Sequence, residues 1–309
     1  MQSDQVSESG AETSRALGIL LFMPLFFCTN IVFGRAAIAE VEPFTLAFLR
    51  WGLCGLILLP FVYPALKRHQ TSISELAKPL LVMGFLGMWI CGALVYVALK
   101  YTTATNGTLI YTSSPVMVIL IERMFRGRQI GWREALGIAL AISGVLIIIC
   151  KGRLETLTGL QFNTGDLIFV LTAVSWAIYS AMLKFKRFDH LQTFPLFALM
   201  ALSGALLLFP FAAVETLWTG NFPSTPFAWL CISGIVLISS LLAFSSFQNG
   251  VRVVGASTTS IFMYLLPVYG VTLAVWLLGE QLHAFHIWGI LTVLSGVVLA
   301  TFPASLLKR

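Results

Sequence analysis

Nine side chains of this 309-residue chain place rings, amides and hydroxyls deep inside apolar runs: Asn30, Trp89, Tyr96, Tyr111, Ser114, Trp176, Tyr179, Gln248 and Tyr264. Rings supply contact area, and amides and hydroxyls supply a few oriented donors and acceptors. Such a set can hold a small amphipathic molecule. It holds no carboxylate, imidazole or thiolate with which to move a proton or attack a bond. All thirteen acids fall in loops, tails or the ends of apolar runs, with Glu122, Asp166 and Glu280 nearest the interior. The four histidines (His69, His190, His283, His286) lie in loops. Five cysteines (Cys28, Cys54, Cys91, Cys150, Cys231) show no metal-ligand spacing, so free buried thiols are expected, with no metal and no cofactor. Without H-E-x-x-H, G-x-S-x-G or paired mid-membrane aspartates, no nucleophile has a base, and no catalytic residue is expected.

Each candidate also has a plainer role. Tryptophan and tyrosine in membrane helices often mark the headgroup belts, the expected place of Trp51, Tyr63, Tyr101, Trp132, Trp218, Trp229 and Trp288. Trp89 and Trp176 fall nearer mid-span. Trp89 and Tyr96 are seven residues apart, which puts them on one face of an ordinary helix. Serines and threonines often bond the preceding turn of their own helix. Pro115 and Pro267 each free a carbonyl four residues back, as packing kinks or as part of a gate or cavity wall. Arg50, seven residues after Pro43, is expected as a structural charge, snorkelling or pairing with Glu40 or Glu42, or as a substrate contact. Glu280 is read as a second structural charge.

The elements that position these groups follow from composition. The chain is 58% hydrophobic and 10% charged, with a mean hydropathy of +0.90; soluble domains are nearer a quarter charged. Apolar runs at 16–34, 44–65, 80–99, 104–121, 135–150, 167–183, 193–214, 228–249, 256–278 and 287–304 predict ten spans of the ~20 residues that a bilayer requires. The net charge of +6 comes without a basic stripe of interleaved aromatics, so no nucleic-acid partner is expected. Nor does "MQSDQVSESGAETSR" have the basic start and cleavage site of a secretory signal, so the first run is read as a retained helix. Alternate loops and both tails hold fourteen basic residues, with Arg123, Arg126, Arg128 and Arg133 the densest group. The other side holds four: Arg35, Lys100, Lys151 and Arg153. The positive-inside rule then puts both termini in the cytoplasm.

A repeat runs through the chain. "MFRGRQIGWREALGIALAISGV" (124–145) aligns without a gap with "WLLGEQLHAFHIWGILTVLSGV" (276–297), sharing Gly127/Gly279, Gly137/Gly289 and Gly144/Gly296. Upstream, "ALKYTTATNGTLIYTSSPV" (98–116) matches "GVRVVGASTTSIFMYLLPV" (250–268) at the same offset, and "LFFCTNIVFGR" (25–35) matches "VSWAIYSAMLK" (174–184), pairing Asn30 with Tyr179. Each copy holds five spans, an odd number, so the second enters the membrane inverted. The arginines of 126–133 are lost from the second copy because that loop lies on the opposite side. The glycines stay because close helix packing in lipid needs small residues. The expected domains are a tail at 1–15, a first five-helix repeat at 16–152, a second at 166–304 and a tail at 305–309. The fifth and tenth helices ("GIALAISG", "GILTVLSG") are expected at the periphery, as a scaffold or a dimer contact.

Arg50 after Pro43, the two five-span repeats, and the tail "LLPVYGVTLAVWLLGEQL…WGILTVLSGVVLA" resemble the drug/metabolite transporter superfamily, EamA type. The resemblance covers Ala16 to Phe302, and is most specific at Gly279-Glu280, Gly289 and Ser295-Gly296. Gly127-Arg128 departs from the family's usual Gly-Glu, and Phe27-Cys28 from its common Trp-Gly. It implies an all-α carrier of the inner (plasma) membrane that works by alternating access, with an aromatic amino acid and paraquat exporter type as the nearest suggestion. In inverted-repeat carriers the substrate sits near the midplane between the repeats. With no mid-span acid for a proton relay and no midplane cation for a phosphate, the nine residues suit export of amino acids, aromatic or large neutral ones foremost, by a facilitator. The alternatives are a multidrug or organic-cation exporter using proton antiport, with the rings holding the cation, and a channel, which would need charged rings or a carbonyl filter. The expected partners are a small-molecule substrate and the lipid bilayer, for a monomer or homodimer.

Overall fold

A computed structural model describes residues 2–68, 75–102, 107, 110–111, 113–127, 129–153, 155, 163–278 and 282–301. These residues form ten long helical segments, with a short 3-10 turn at Lys186–Phe188: α1 Gln2–Ala37, α2 Pro43–Arg68, α3 Ala77–Ala98, α4 Ser114–Arg126, α5 Trp132–Ile149, α6 Thr164–Met182, α7 Thr193–Thr219, α8 Pro226–Val254, α9 from Ala256 through Leu278, and α10 Ala284–Thr301. Among the described residues nine helices are long and apolar enough to cross a membrane. The other, α4, is the described part of the run expected at 104–121. Glu280, in the loop after α9, lies outside the described residues.

Sequence explains many of the helix ends. Asn163 caps α6 in a reciprocal capping box with Asp166, and Thr225 caps α8 ahead of Pro226. Gly127 ends α4 at φ 65°, in the left-handed region that a side chain rarely adopts. That need accounts for a glycine at the foot of the arginine-rich loop. Three acids close to membrane depth also serve as caps. Glu215 accepts from the Phe44 and Thr45 backbone N–H groups that open α2, Glu122 accepts from the N–H and hydroxyl of Ser257 at the start of α9, and Asp166 serves α6. A carboxylate at a helix N-terminus is stabilised by the helix dipole.

The most extensive packing runs between the repeats. α5 lies on α10, α2 on α7, and α4 on α9. α1 packs on α8 as α6 packs on α3, and α1 packs on α9 as α6 packs on α4. Every one of these relations maps onto itself or onto another when the repeats are exchanged, the property of a two-fold pseudo-axis. The α5–α10 seam shows it at atomic detail. A Cβ on Gly137 would meet the Gly296 carbonyl at 2.6 Å, and one on Gly289 would meet the Gly144 carbonyl at 3.0 Å. Gly137 and Gly289 are repeat equivalents, as are Gly144 and Gly296. The glycine faces of α5 and α10 are therefore spent on each other inside one chain.

Both third helices are wound wide in the middle. α3 has a π-helical stretch at Phe85–Leu94 and α8 has one at Ile235–Leu242. Such stretches commonly occur at functional positions. They also overturn the expectation that Trp89 and Tyr96 share a face, because a π turn holds more residues than an α turn and rotates the rest of the helix. Trp89 packs with Phe44, Phe85 and Phe211 at ring-centroid distances of 5.6, 5.3 and 5.2 Å, whereas Tyr96 turns into the core.

Candidate substrate site between the repeats

Two small polar clusters flank an aromatic layer at the centre of the fold. In the first, Tyr96 of α3 donates to the Asn30 amide oxygen of α1 at 2.8 Å. Arg50 of α2 donates from Nη1 to both, at 3.2 Å to Tyr96 and 3.1 Å to Asn30. Its Nε donates to the Ser240 hydroxyl at 2.7 Å, and its Nη2 to the Ser239 carbonyl at 3.4 Å, both on α8. Arg50 is 3% exposed. It does not snorkel, and among the described residues it pairs with no acid: Glu42 binds Lys100, and Glu40 accepts from the Thr225 hydroxyl. The expected partnering with Glu40 or Glu42 fails because α2 turns Arg50 inward toward α1, α3 and α8, away from the loop that holds both acids.

In the second cluster, Gln248 of α8 donates from Nε2 to the Tyr179 hydroxyl of α6 at 2.8 Å. The Met200 sulfur of α7 lies 3.9 Å from Gln248 Nε2 and 4.0 Å from the Tyr179 oxygen. This is the first cluster again, exchanged by the pseudo-axis. Asn30 matches Tyr179 in the α1/α6 alignment, and Tyr96 matches Gln248 in the α3/α8 alignment. Arg50 stands seven residues after Pro43 as Met200 stands seven after Thr193, the first residues of α2 and α7. The pairing is independently fixed four residues further along the chain, just past the end of α3 and in the last turn of α8. Lys100 reaches Glu42 just ahead of α2, and Arg252 reaches the Leu191 carbonyl just ahead of α7, at 2.9 Å.

Between the clusters lie Phe27, Trp176, Phe244 and Phe247. Trp176 meets Phe27 at 6.0 Å, Phe244 at 5.5 Å and Phe247 at 4.7 Å. Trp51 and Phe197 extend this layer under Phe244, at 4.7 and 6.0 Å. Trp51 is fully buried and stacks against the Arg50 guanidinium, 4.4 Å from the ring centroid, so it does not belong to the headgroup belt. Gly92, on the π-helical stretch of α3, makes its room: a Cβ there would lie 2.6 Å from Trp51 Nε1. Tyr63, Tyr101, Trp132, Trp218, Trp229 and Trp288 remain at the surface or partly exposed there.

The structure thus joins Asn30 and Tyr96 around Arg50, gathers Trp176, Tyr179 and Gln248, and sets half-buried Tyr111 6.5 Å from Trp176. Trp89 stands apart from them. Ser114 and Tyr264 are buried on α4 and α9. Pro115 lies in the first turn of α4, where no N–H is required, just after a turn at Ser113 that follows helical Ile110 and Tyr111. Pro267 follows a 3-10 segment, Phe262–Leu265, whose geometry lets the Leu266 N–H take the Met263 carbonyl that the proline cannot. All five cysteines are free and buried.

Sequence reading alone does not single out Phe27, Met200, Ser239, Ser240, Phe244 or Phe247. Phe27 carries a usable signal as the aligned partner of Trp176, and Met200 carries one as the residue opposite Arg50 when 44–61 is set on 194–211.

This geometry is that of a membrane carrier of inverted five-helix repeats. The chain belongs to the EamA-like transporter family, which it matches over residues 15–150 and 163–302. Among similar proteins, the uncharacterized transporter YyaM of Bacillus subtilis is 26% identical over 291 residues, covering 92% of both chains. A transporter of Archaeoglobus fulgidus is 27% identical over 288 residues, covering 92% of this chain and 96% of that one. The biotin transporter of Salmonella typhimurium is 27% identical over 278 residues, covering 87% and 86%. A solved crystal structure superposes with a TM-score of 0.73 at 19% identity, over 96% of this chain and 99% of that chain, and supports the fold.

Proposed function

We propose that the chain exports amino acids, aromatic or large neutral ones foremost, across a bacterial-type inner membrane by alternating access. The supporting observation is the aromatic layer between the two clusters, with its unspent polar atoms. Among the described residues, Trp176 Nε1, Trp51 Nε1 and Gln248 Oε1 are buried without a hydrogen-bond partner. A buried unpartnered polar atom costs about 1–3 kcal/mol, which a ligand offering the complementary group recovers. Large ring faces with few oriented polar atoms suit an amphipathic solute with an apolar side chain. The biotin transporter among its relatives supports the broader class, a small organic metabolite.

A facilitator is favoured over a proton-driven exporter because Glu122, Asp166 and Glu215 are engaged as helix caps at span ends. The organic-cation reading is weaker here because the Trp51 and Phe244 ring faces already hold the Arg50 guanidinium, at 4.4 and 5.5 Å. The test is counterflow in proteoliposomes with labelled amino acids, sugars, nucleosides and quaternary ammonium ions, with and without a pH gradient. Saturable amino-acid counterflow without a gradient is expected. Movement of cations alone, or an absolute need for the gradient, would sink this reading, and non-saturating flux would indicate a channel.

A further inference from the structure

The fold contains its own control for Arg50. Met200 holds the equivalent place in the second repeat, with the same two neighbours by position, and there the cluster closes without any charge. A cation is therefore not what this corner of the fold needs for packing. Its burial is nevertheless costly. Arg50 is 3% exposed, about 10 Å along α2 from the helix start at 1.5 Å per residue. A buried cation without a counter-charge is destabilising unless it is well hydrogen-bonded. Among the described residues every hydrogen-bond partner of Arg50 is neutral: Asn30, Tyr96, the Ser240 hydroxyl and the Ser239 carbonyl. None of the described ion pairs includes it.

We infer that Arg50 is the receptor for the carboxylate of the transported molecule, and so selects monocarboxylates over cations and over uncharged solutes. The planar guanidinium presents paired donors that match the two oxygens of a carboxylate. Nη1 gives its bonds to the substrate when Asn30 and Tyr96 part from it, while Nε stays on Ser240. The position fits the apolar end of the same ligand. Trp51 stacks on the guanidinium and touches Phe244, which touches Trp176. A carboxylate held at Arg50 thus leaves its side chain lying along the aromatic layer. The inference rests on the carrier reading of that layer, but not on the ligand being an amino acid.

The test uses the full-length protein in proteoliposomes and three probes of one shape: L-phenylalanine, 3-phenylpropanoate and L-phenylalaninamide. Wild type is expected to take the two carboxylates and to discriminate against the amide by at least about tenfold, the scale of a charged hydrogen bond. Arg50→Met copies the residue that the second repeat already accommodates. It should elute and melt like wild type, lose about tenfold or more for both carboxylates, and leave the amide unchanged. Arg50→Lys keeps the charge without the fork and should fall between. Should Arg50→Met fail to fold, the acid-to-amide ratio in wild type and Arg50→Lys decides. Unchanged carboxylate affinity in folded Arg50→Met overturns the inference, as does a wild type that moves the amide as well as the acid. Transport of 3-phenylpropanoate without L-phenylalanine would overturn the amino-acid reading and leave Arg50 in its role.

Discussion

Phe27 and Trp176 meet edge to face with ring centroids 6.0 Å apart and planes at 88°, and they hold equivalent positions in the two repeats. Two equivalent residues in contact must lie beside the pseudo-axis. Asn30 is three residues beyond Phe27, and Tyr179 three beyond Trp176, on helices that run in opposite directions. One polar cluster therefore lies a turn outward from the central rings and the other a turn inward. The order along the membrane normal is cluster, rings, cluster.

Trp176 should dominate affinity. It is 2% exposed and touches rings from α1, α8 and the residue Tyr111. Trp176→Phe is expected to weaken substrate binding a few-fold in counterflow, and Trp176→Ala by at least about tenfold, with about 3–5 kcal/mol of stability lost as for other large core truncations. Trp218→Ala, at a side chain 88% exposed, should change neither. Equal effects at both tryptophans would remove Trp176 from the site.

The α5–α10 seam should control assembly and not affinity. A Cβ on Gly296 would come within 2.5 Å of the Ala141 nitrogen and the Gly137 oxygen, both backbone atoms that cannot move aside. Gly296→Leu, and its repeat mate Gly144→Leu, should sharply lower the yield of monodisperse protein. Whatever protein folds should bind substrate as wild type does. Normal yield with lost affinity would place the seam in the transport path.

The repeat and the charge asymmetry make the architecture readable, because hydropathy and loop charge act over whole segments. The site is readable only in part. Asn30, Tyr96, Tyr179 and Gln248 are polar residues in apolar runs and announce themselves, but Met200 does not, since a methionine in a membrane helix is ordinary. Its meaning comes from standing where Arg50 stands in the other copy, which shows only when 44–61 is set on 194–211, where Phe44/Phe194, Leu46/Leu196, Pro60/Pro210 and Phe61/Phe211 are among the identities. Sequence places Trp51 at the interface because its position near a helix end is the belt's position. Its inward turn depends on Gly92 of another helix. Trp89 is displaced relative to Tyr96 by a π-helical stretch that no residue pattern of α3 marks.

Orientation can be measured directly. Asn221, between α7 and α8, and Lys186, between α6 and α7, are both exposed, and the five native cysteines are buried. In intact cells an impermeant maleimide should label Asn221→Cys and not Lys186→Cys until the membrane is opened. The reverse pattern would invert the topology and exchange the two clusters between sides.

The two clusters should act as separate latches. The outer one ties α1, α2 and α3 of the first repeat to Ser240 on α8. The inner one ties α6 to α8, and the Tyr179 ring lies against Gly87 on α3, where a Cβ would sit 2.6 Å from it. Opening toward one side requires breaking one latch while the other holds. Asn30→Ala removes the acceptor shared by Tyr96 and Arg50, whereas Gln248→Ala removes the donor to Tyr179. Each lost hydrogen bond is worth about 0.5–1.5 kcal/mol, or roughly two- to tenfold in the ratio of closed to open forms. Spin labels at the exposed positions Ala39 and Asn221 report the external ends of the bundle, and labels at Lys67 and Lys186 the cytoplasmic ends. Asn30→Ala should lengthen and broaden the first distance alone, and Gln248→Ala the second alone. If both variants shift both distances, the clusters form one coupled network; if neither shifts any, they are packing contacts without a part in the transport cycle.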